Sequence, residues 1–239
     1  MSVPPEYIPN AIDRGVRCGL VVVGLALWIA TQALLGAREF PVDARTQESA
    51  SVALTEGDRV HEWMGSWHGY LQQNRSATSA LLMVSSALVD LVACWMFAAT
   101  IFGRTVRPFL GLLILFSLRQ LCQWVSPLPA PVGMLWYDPG FPSLLVTYEV
   151  ANDFFFSGHT GIAVLGGIEL ARRFGRVGLI LGMLLGLFEI LTVLVLRAHY
   201  TMDVFAGAVV AILAAVAATR LAAHLDAGVR RLATGRKST

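Results

Sequence analysis

Apolar residues in this chain come in long blocks broken by short polar stretches. Six blocks reach the ~20 residues that a helix needs to cross a bilayer. They fall near Cys18–Ala37, Ala80–Phe102, Val106–Val125, Phe154–Arg172, Val177–Leu196 and Val204–Ala222. Backbone polar groups inside hydrocarbon must be satisfied within their own segment, so such blocks predict helices. The pattern predicts an all-α integral membrane protein, a bundle of six transmembrane helices in a single membrane domain over residues 1–239. The first block lacks a small-residue cleavage site and follows a long polar lead, so it is read as a helix and not as a signal peptide. Pro, Gly and Ser gather between the blocks, most densely in Ser126–Pro142.

Composition agrees with the pattern. Of 239 residues, 56% are hydrophobic and 14% charged, and mean hydropathy is +0.63. An ordinary soluble domain carries ~25% charged residues, and one of this size has too little interior for so much apolar surface. The net charge of +2 is spread over scattered basic residues, which excludes a nucleic-acid stripe. Cys18, Cys94 and Cys122 lie inside apolar stretches without metal or disulfide spacing, and are expected to pack. Lys237 is the one lysine, a usage typical of a GC-rich genome and so of a bacterial inner membrane.

The basic residues set the orientation. One side holds Arg14, Arg17, Arg104, Arg107, Arg172, Arg173, Arg176, Arg220, Arg230, Arg231, Arg236 and Lys237; the other holds Arg38, Arg45, Arg59, Arg75 and Arg197. Both termini are therefore expected in the cytoplasm, with residues 223–239 as a cytoplasmic tail and residues 38–77 as an extracytoplasmic loop. Within that loop Thr55–Gln73 reads as a helix, with Val60, Trp63, Trp67 and Leu71 on one face. Such a helix would lie at the membrane surface with tryptophan at headgroup depth, or cover a lipid entrance as a lid. His61 and His68 are expected to be surface residues.

Two segments carry candidate chemistry, Asp153-Phe-Phe-Phe-Ser-Gly-His-Thr160 and Arg197-Ala-His-Tyr-Thr-Met-Asp203. The topology brings His159, His199 and Asp203 to the same outer face from distant parts of the chain. His199 and Asp203, four residues apart, share a helix face. The carboxylate could accept from one ring nitrogen and leave the other free to attack, while His159 moves protons. Ser157-Gly158 opens a helix with N–H groups and room for a phosphate. Two histidines and one aspartate could also bind a metal, but nothing else at ligand spacing completes such a site.

Arg119 lies six residues from the outer end of the third block, ~9 Å deep at helical rise. An arginine at that depth is a candidate phosphate ligand; the other reading pairs it with Asp90, Glu169 or Glu189. Arg197, two residues before His199, is a second candidate. Trp136, Tyr137, Tyr148, Phe154, Phe155, Phe156 and Tyr200 surround the histidines in sequence. They form either an interfacial belt or a cage for a quaternary ammonium, to which Asp153 or Glu149 would add charge.

Ser157-Gly158-His159-Thr160 and His199-Tyr200-Thr201-x-Asp203-Val204 resemble the paired motifs of the sphingomyelin synthase family and of its plant relatives, the phosphatidylcholine:diacylglycerol cholinephosphotransferases. Asp153 fits the same pattern, and Leu118-Arg-Gln-Leu-Cys-Gln-Trp-Val-Ser-Pro-Leu-Pro-Ala-Pro131 is similar to the family's third-span segment. The likeness covers roughly Arg107 to Gly207. Its His–His–Asp core is shared with the wider lipid phosphatase and phosphotransferase (PAP2-like) superfamily. Lipid phosphate phosphatases carry Lys-x6-Arg-Pro, a proline before Ser-Gly-His, and a Ser-Arg pair. Here those positions hold Thr100 before Arg107-Pro108, then Phe156, and Thr192-Val193, so cations suited to a phosphomonoester are missing.

The resemblance implies six spans, an extracytoplasmic site and head-group transfer from phosphatidylcholine or phosphatidylethanolamine to diacylglycerol or ceramide. It implies His199 as nucleophile, Asp203 as its orienting partner and His159 as acid and base. Ser157, Gly158, Arg119, Arg197, Asp153 and Tyr200 would bind substrate, with no metal or organic cofactor. Hydrolysis by the same residues, as in a phosphatase or phospholipase C, and lipid binding without chemistry are the alternatives.

Overall fold

The computed structural model describes residues 9–36, 43–146, 148 and 154–234, and all regular structure among them is helical. The helices are α1 (Ala11–Gly36), α2 (Ala44–Gly57), α3 (Arg59–Trp63), α4 (Gly65–Gln73), α5 (Arg75–Phe102), α6 (Arg107–Val125), α7 (Gly158–Val195) and α8 (Thr201–Thr234). Five of them, α1, α5, α6, α7 and α8, are long and apolar enough to cross a membrane.

The fourth and fifth predicted spans both lie in α7. A straight helix of its 38 residues would run ~57 Å, almost twice the ~30 Å of a hydrocarbon core. Instead it breaks at Gly175, whose φ of 60° and ψ of −131° suit only glycine. Residues 158–174 and 176–195 fold back on each other: a Cβ on Gly167 would stand 3.0 Å from the Cα of Gly182, and one on Gly178 2.0 Å from the carbonyl oxygen of Leu170. Small residues let the two backbones touch, as membrane helices commonly require.

Val89, Val92 and Met96 of α5 pack with Leu112 and Leu115 of α6, Ile162 and Leu165 of α7, and Ala211, Ala214 and Ala215 of α8. Lipid tails are as apolar as these side chains, so close packing holds the spans together more than escape from water. α1 lies outside: 11% of its apolar window is buried, against 33–39% in the other four. Cys18 and Cys94, expected to pack, are instead exposed on helix faces that lipid would cover.

At one end of the bundle the charges pair. The Arg17 guanidinium donates to the carbonyls of Thr100 (3.0 Å) and Gly103 (3.1 Å) and faces Asp226, which also accepts from the Val106 amide at 2.9 Å. Glu169 accepts from both Nε and Nη2 of Arg107 and pairs with Arg172 at 2.7 Å. Thr100, at the position where the phosphatases have lysine, accepts from the Phe109 amide near the start of α6.

At the other end α2, α3 and α4 replace the single helix expected over Thr55–Gln73. Asp58 ends α2 and caps α3, accepting from the Val60 amide at 3.0 Å. Val60 and Leu71 pack inward, but Trp63 and Trp67 are 77% and 66% exposed, so these four do not share one face. His61 and His68, expected at the surface, are buried. They turn inward because the Val195 carbonyl at the end of α7 and the His199 carbonyl in the connector after it meet their ring nitrogens. Other boundaries shift as well: α5 starts at Arg75 and α8 runs to Thr234, into the expected tail.

Candidate active site

Ser157 precedes α7 as its cap, and its hydroxyl oxygen accepts from the Thr160 amide at 3.3 Å. That is the usual service of serine at a helix start; the residue is fully buried. The next turn presents Gly158 and His159.

The far end of α7 closes with two crossed hydrogen bonds, Ala198 N–H to the Val193 carbonyl (2.8 Å) and Arg197 N–H to the Leu194 carbonyl (3.0 Å). This is a Schellman motif. It places Arg197 in the left-handed region, with φ at 51°. The turn delivers His199 and Tyr200 just before α8. Asp203, in the first turn of α8, accepts from the Tyr200 amide at 3.0 Å, reaching back as the acidic member of a capping box does, where negative charge suits the helix dipole.

Three features join the two helix starts. The Ser157 amide donates to the Asp203 carbonyl at 3.1 Å. Gly207 admits the approach, since a Cβ there would stand 2.6 Å from the Ser157 carbonyl oxygen. His199 Nδ1 lies 2.9 Å from the Phe154 carbonyl oxygen and 3.7 Å from Asp203 Oδ2. A carbonyl only accepts, so Nδ1 carries the hydrogen and Nε2 keeps its lone pair. The partner that fixes the tautomer is the Phe154 carbonyl; the sequence reading expected the Asp203 carboxylate.

A cavity lies against these elements, lined by His159, His199, Arg119 and Gly158 together with Trp28, Gln32, Val89, Phe116, Trp136, Leu145, Val146, Phe154, Ile162 and Ala198. Arg119 is buried, and its Nε donates to the Phe156 carbonyl at 2.9 Å. A Cβ at position 158 would stand 3.3 Å from that Nε, so Gly158 leaves room for the guanidinium. The acids weighed as its partners are engaged elsewhere. Asp90 accepts from Ser143, Leu144 and Leu145, Glu169 from Arg107 and Arg172, and Glu189 from Ser85. The ring of His159 stands edge-on to Trp136 at 5.0 Å between centroids, and its Nε2 makes no hydrogen bond among the described residues.

Not every sequence candidate reaches this cavity. The side chain of Arg197 donates to the Val132 carbonyl at 3.2 Å and does not line it; the left-handed turn sends the side chain to the loop. Tyr200 and Asp203 face a separate, mostly apolar groove with Asp58, Leu54 and Phe155. Ser157 is a cap. Asp153 and Glu149 lie outside the described residues. Of the aromatic candidates, Trp136 and Phe154 line the cavity, whereas Tyr148 bonds to Ser86. Sequence reasoning missed Trp28 and Gln32, which come from α1. Among the described residues there is no cluster of three or more His, Cys, Asp or Glu placed to hold a metal.

Behind the cavity, α3 and α4 grip the connector that carries His199. His61 Nε2 is 3.0 Å from the His199 carbonyl oxygen, and His68 Nδ1 2.8 Å from that of Val195. Asp58 accepts from both the amide and the hydroxyl of Thr201, each at 2.7 Å. Burial alone would raise the Asp58 carboxyl, but the Thr201 donors and neighbouring His61 outweigh it and hold the group below its ordinary value. His68 is pushed below the usual histidine value, first by burial and further by nearby Arg197 and His61, against the Val195 bond, which favours its charged form.

A family model described as AtPDCT1/2 matches residues 61–220, 160 of the 239 residues, a stretch that takes in Arg119, His159, His199 and Asp203. No curated protein and no solved structure matches the chain.

Proposed function

The chain belongs to the AtPDCT1/2 family, of the phosphatidylcholine:diacylglycerol cholinephosphotransferase type, and from that premise we propose that it moves phosphocholine or phosphoethanolamine from a glycerophospholipid to diacylglycerol or ceramide. The family match supports a cholinephosphotransferase-type lipid activity. The observation that carries the finer reading is the gathering of His159, His199 and Arg119 around one cavity, with His199 Nδ1 committed to the Phe154 carbonyl.

The His199 Nε2 lone pair attacks phosphorus, forming a P–N bond as the P–O bond to diacylglycerol breaks. His159 gives its proton to the departing oxygen. Arg119 holds the non-bridging phosphate oxygens, and Asp203 supports the positive charge that develops on His199. In the second half the acceptor hydroxyl loses its proton to His159 and attacks phosphorus, and the P–N bond breaks. A phosphodiester carries one negative charge, so one buried arginine matches it.

In the same reading the two arms of α7 cross the membrane separately, giving six spans. Both termini lie in the cytoplasm, as the distribution of arginine supports, and the cavity opens at the extracytoplasmic face.

The test is lipid mass spectrometry after incubating purified protein with phosphatidylcholine and phosphatidylethanolamine, with and without diacylglycerol and ceramide. Transfer predicts head-group-bearing product only where an acceptor is present. Free phosphocholine or phosphoethanolamine released at the same rate without an acceptor would make the chain a hydrolase and overturn the reading.

A further inference from the structure

His199 sits on a connector of a few residues between α7 and α8, and its ring is held through one nitrogen at the Phe154 carbonyl. The backbone around it is gripped from behind at three points. Val195, before it, has its carbonyl bound by His68; His199 has its own carbonyl bound by His61; Thr201, after it, has both amide and hydroxyl bound by Asp58. These are the carbonyl of the last residue of α7, a carbonyl of the connector itself and the amide of the first residue of α8, groups that lie at or between helix ends. His61 comes from α3 and His68 from α4, and the break between the two helices leaves both rings against the connector. Neither histidine nor Asp58 lines the cavity with Arg119 and His159. Their contacts reach the site through the backbone on either side of His199.

We propose that Asp58, His61 and His68 are positioning residues, a clamp that fixes the Val195–Thr201 backbone so that the His199 ring meets phosphorus in line. This rests on the reading of His199 as the nucleophile. Near-attack geometry is demanding: a displacement of ~1 Å can cost ~10²-fold in rate. The backbone of His199 is the part of the nucleophile that a displacement of α3 and α4 would move, because its ring contacts belong to Phe154 and Asp203 on other elements. Asp58 joins the two jobs, since the same carboxylate starts α3 and binds the first turn of α8.

The experiment compares His61→Leu, which removes the donor, with His61→Gln, whose amide nitrogen replaces Nε2, in full-length protein in lipid nanodiscs. The clamp predicts kcat lower by ~10²-fold in His61→Leu with KM within about twofold, and recovery to within about fivefold in His61→Gln. Equal kcat in wild type and His61→Leu overturns it, as does equal loss in both variants tracking a fall in Tm. Should His61→Leu not fold, Asp58→Asn takes its place, with kcat down by ~10-fold expected and an unchanged kcat against the clamp. Carbethoxylation of His199 by diethyl pyrocarbonate, followed by peptide mass spectrometry, reads the ring's placement without turnover. A rate altered several-fold in His61→Leu and restored in His61→Gln supports the clamp, and an unaltered rate contradicts it. Wild-type protein that transfers no head group overturns the transfer reading and leaves the carbethoxylation rate to decide the clamp.

Discussion

His199 Nδ1 donates to the carbonyl oxygen of Phe154 at 2.9 Å, while the Asp203 carboxylate stands 3.7 Å from the same atom. Two jobs often given to one carboxylate are thus divided. The peptide carbonyl sets the tautomer, and the carboxylate supplies charge nearby and holds the first turn of α8 through the Tyr200 amide.

The division predicts a graded effect at Asp203. Asp203→Asn removes the charge but leaves the tautomer in place, so kcat falls by ~10- to 10²-fold, or ~1.4–2.8 kcal/mol of barrier. His199→Ala abolishes transfer. Initial rates at saturating donor separate the two; an Asp203→Asn variant as inactive as His199→Ala would mean that the carboxylate also sets the tautomer.

Arg119 and Arg197 are both near His199 in the folded chain or the sequence, but only Arg119 lines the cavity. Arg119→Lys keeps the charge and loses the planar fork, so kcat/KM falls by ~10- to 10²-fold, and Arg119→Ala loses more. Steady-state kinetics across donor concentrations checks both.

Arg197 occupies the left-handed residue of a Schellman turn, where a non-glycine side chain costs ~1–2 kcal/mol. Arg197→Gly relieves that strain and gives up the bond to the Val132 carbonyl. The expected outcome is activity within about threefold of wild type and a Tm within a few degrees. A loss like that of Arg119→Ala would restore Arg197 to the phosphate site.

How far the sequence carried is visible in these same residues. Motifs single out His159, His199 and Asp203, and depth singles out Arg119; the fold brings His159, His199 and Arg119 to one cavity and turns Asp203 to a neighbouring groove. The apolar blocks gave the spans, and the break at Gly175 lay between two of them. Trp28 and Gln32 were not legible: they sit on an apolar helix over 80 residues before Arg119, and nothing local says which face turns to a cavity. His61 and His68 turn inward, against the expectation of surface residues, because Trp63 and Trp67 do not belong to the inward face. Gly57-Asp58, a stop followed by a capping residue, held the signal for a break there. Arg197 stands away from the cavity lining because proximity in sequence says nothing of backbone handedness.

Acid should loosen the grip on the connector. His68 lies below its ordinary value in the folded protein, so its contribution to stability is complete above ~6.5 and is lost as pH falls through the folded value. Asp58 is also lowered; its contribution is complete above ~3.9 and is lost below that. Amide exchange of residues 195–201 should accelerate in two stages as pH is lowered, after correction for intrinsic exchange. His68→Asn, which keeps a donor for the Val195 carbonyl without a titrating ring, should remove the first stage alone. Protection that stays flat from neutral pH to below 4 would contradict this.

The central claim is that the head group passes through a covalent bond to His199. The most direct measurement is rapid acid-free quenching of protein incubated with phosphatidylcholine, then mass spectrometry of the peptide containing residues 197–203. The account predicts a phosphocholine adduct on His199 that forms without an acceptor, disappears when diacylglycerol is added, and is absent from His199→Ala. Transfer that proceeds in His199→Ala, or wild-type transfer with the adduct on another residue, would contradict it.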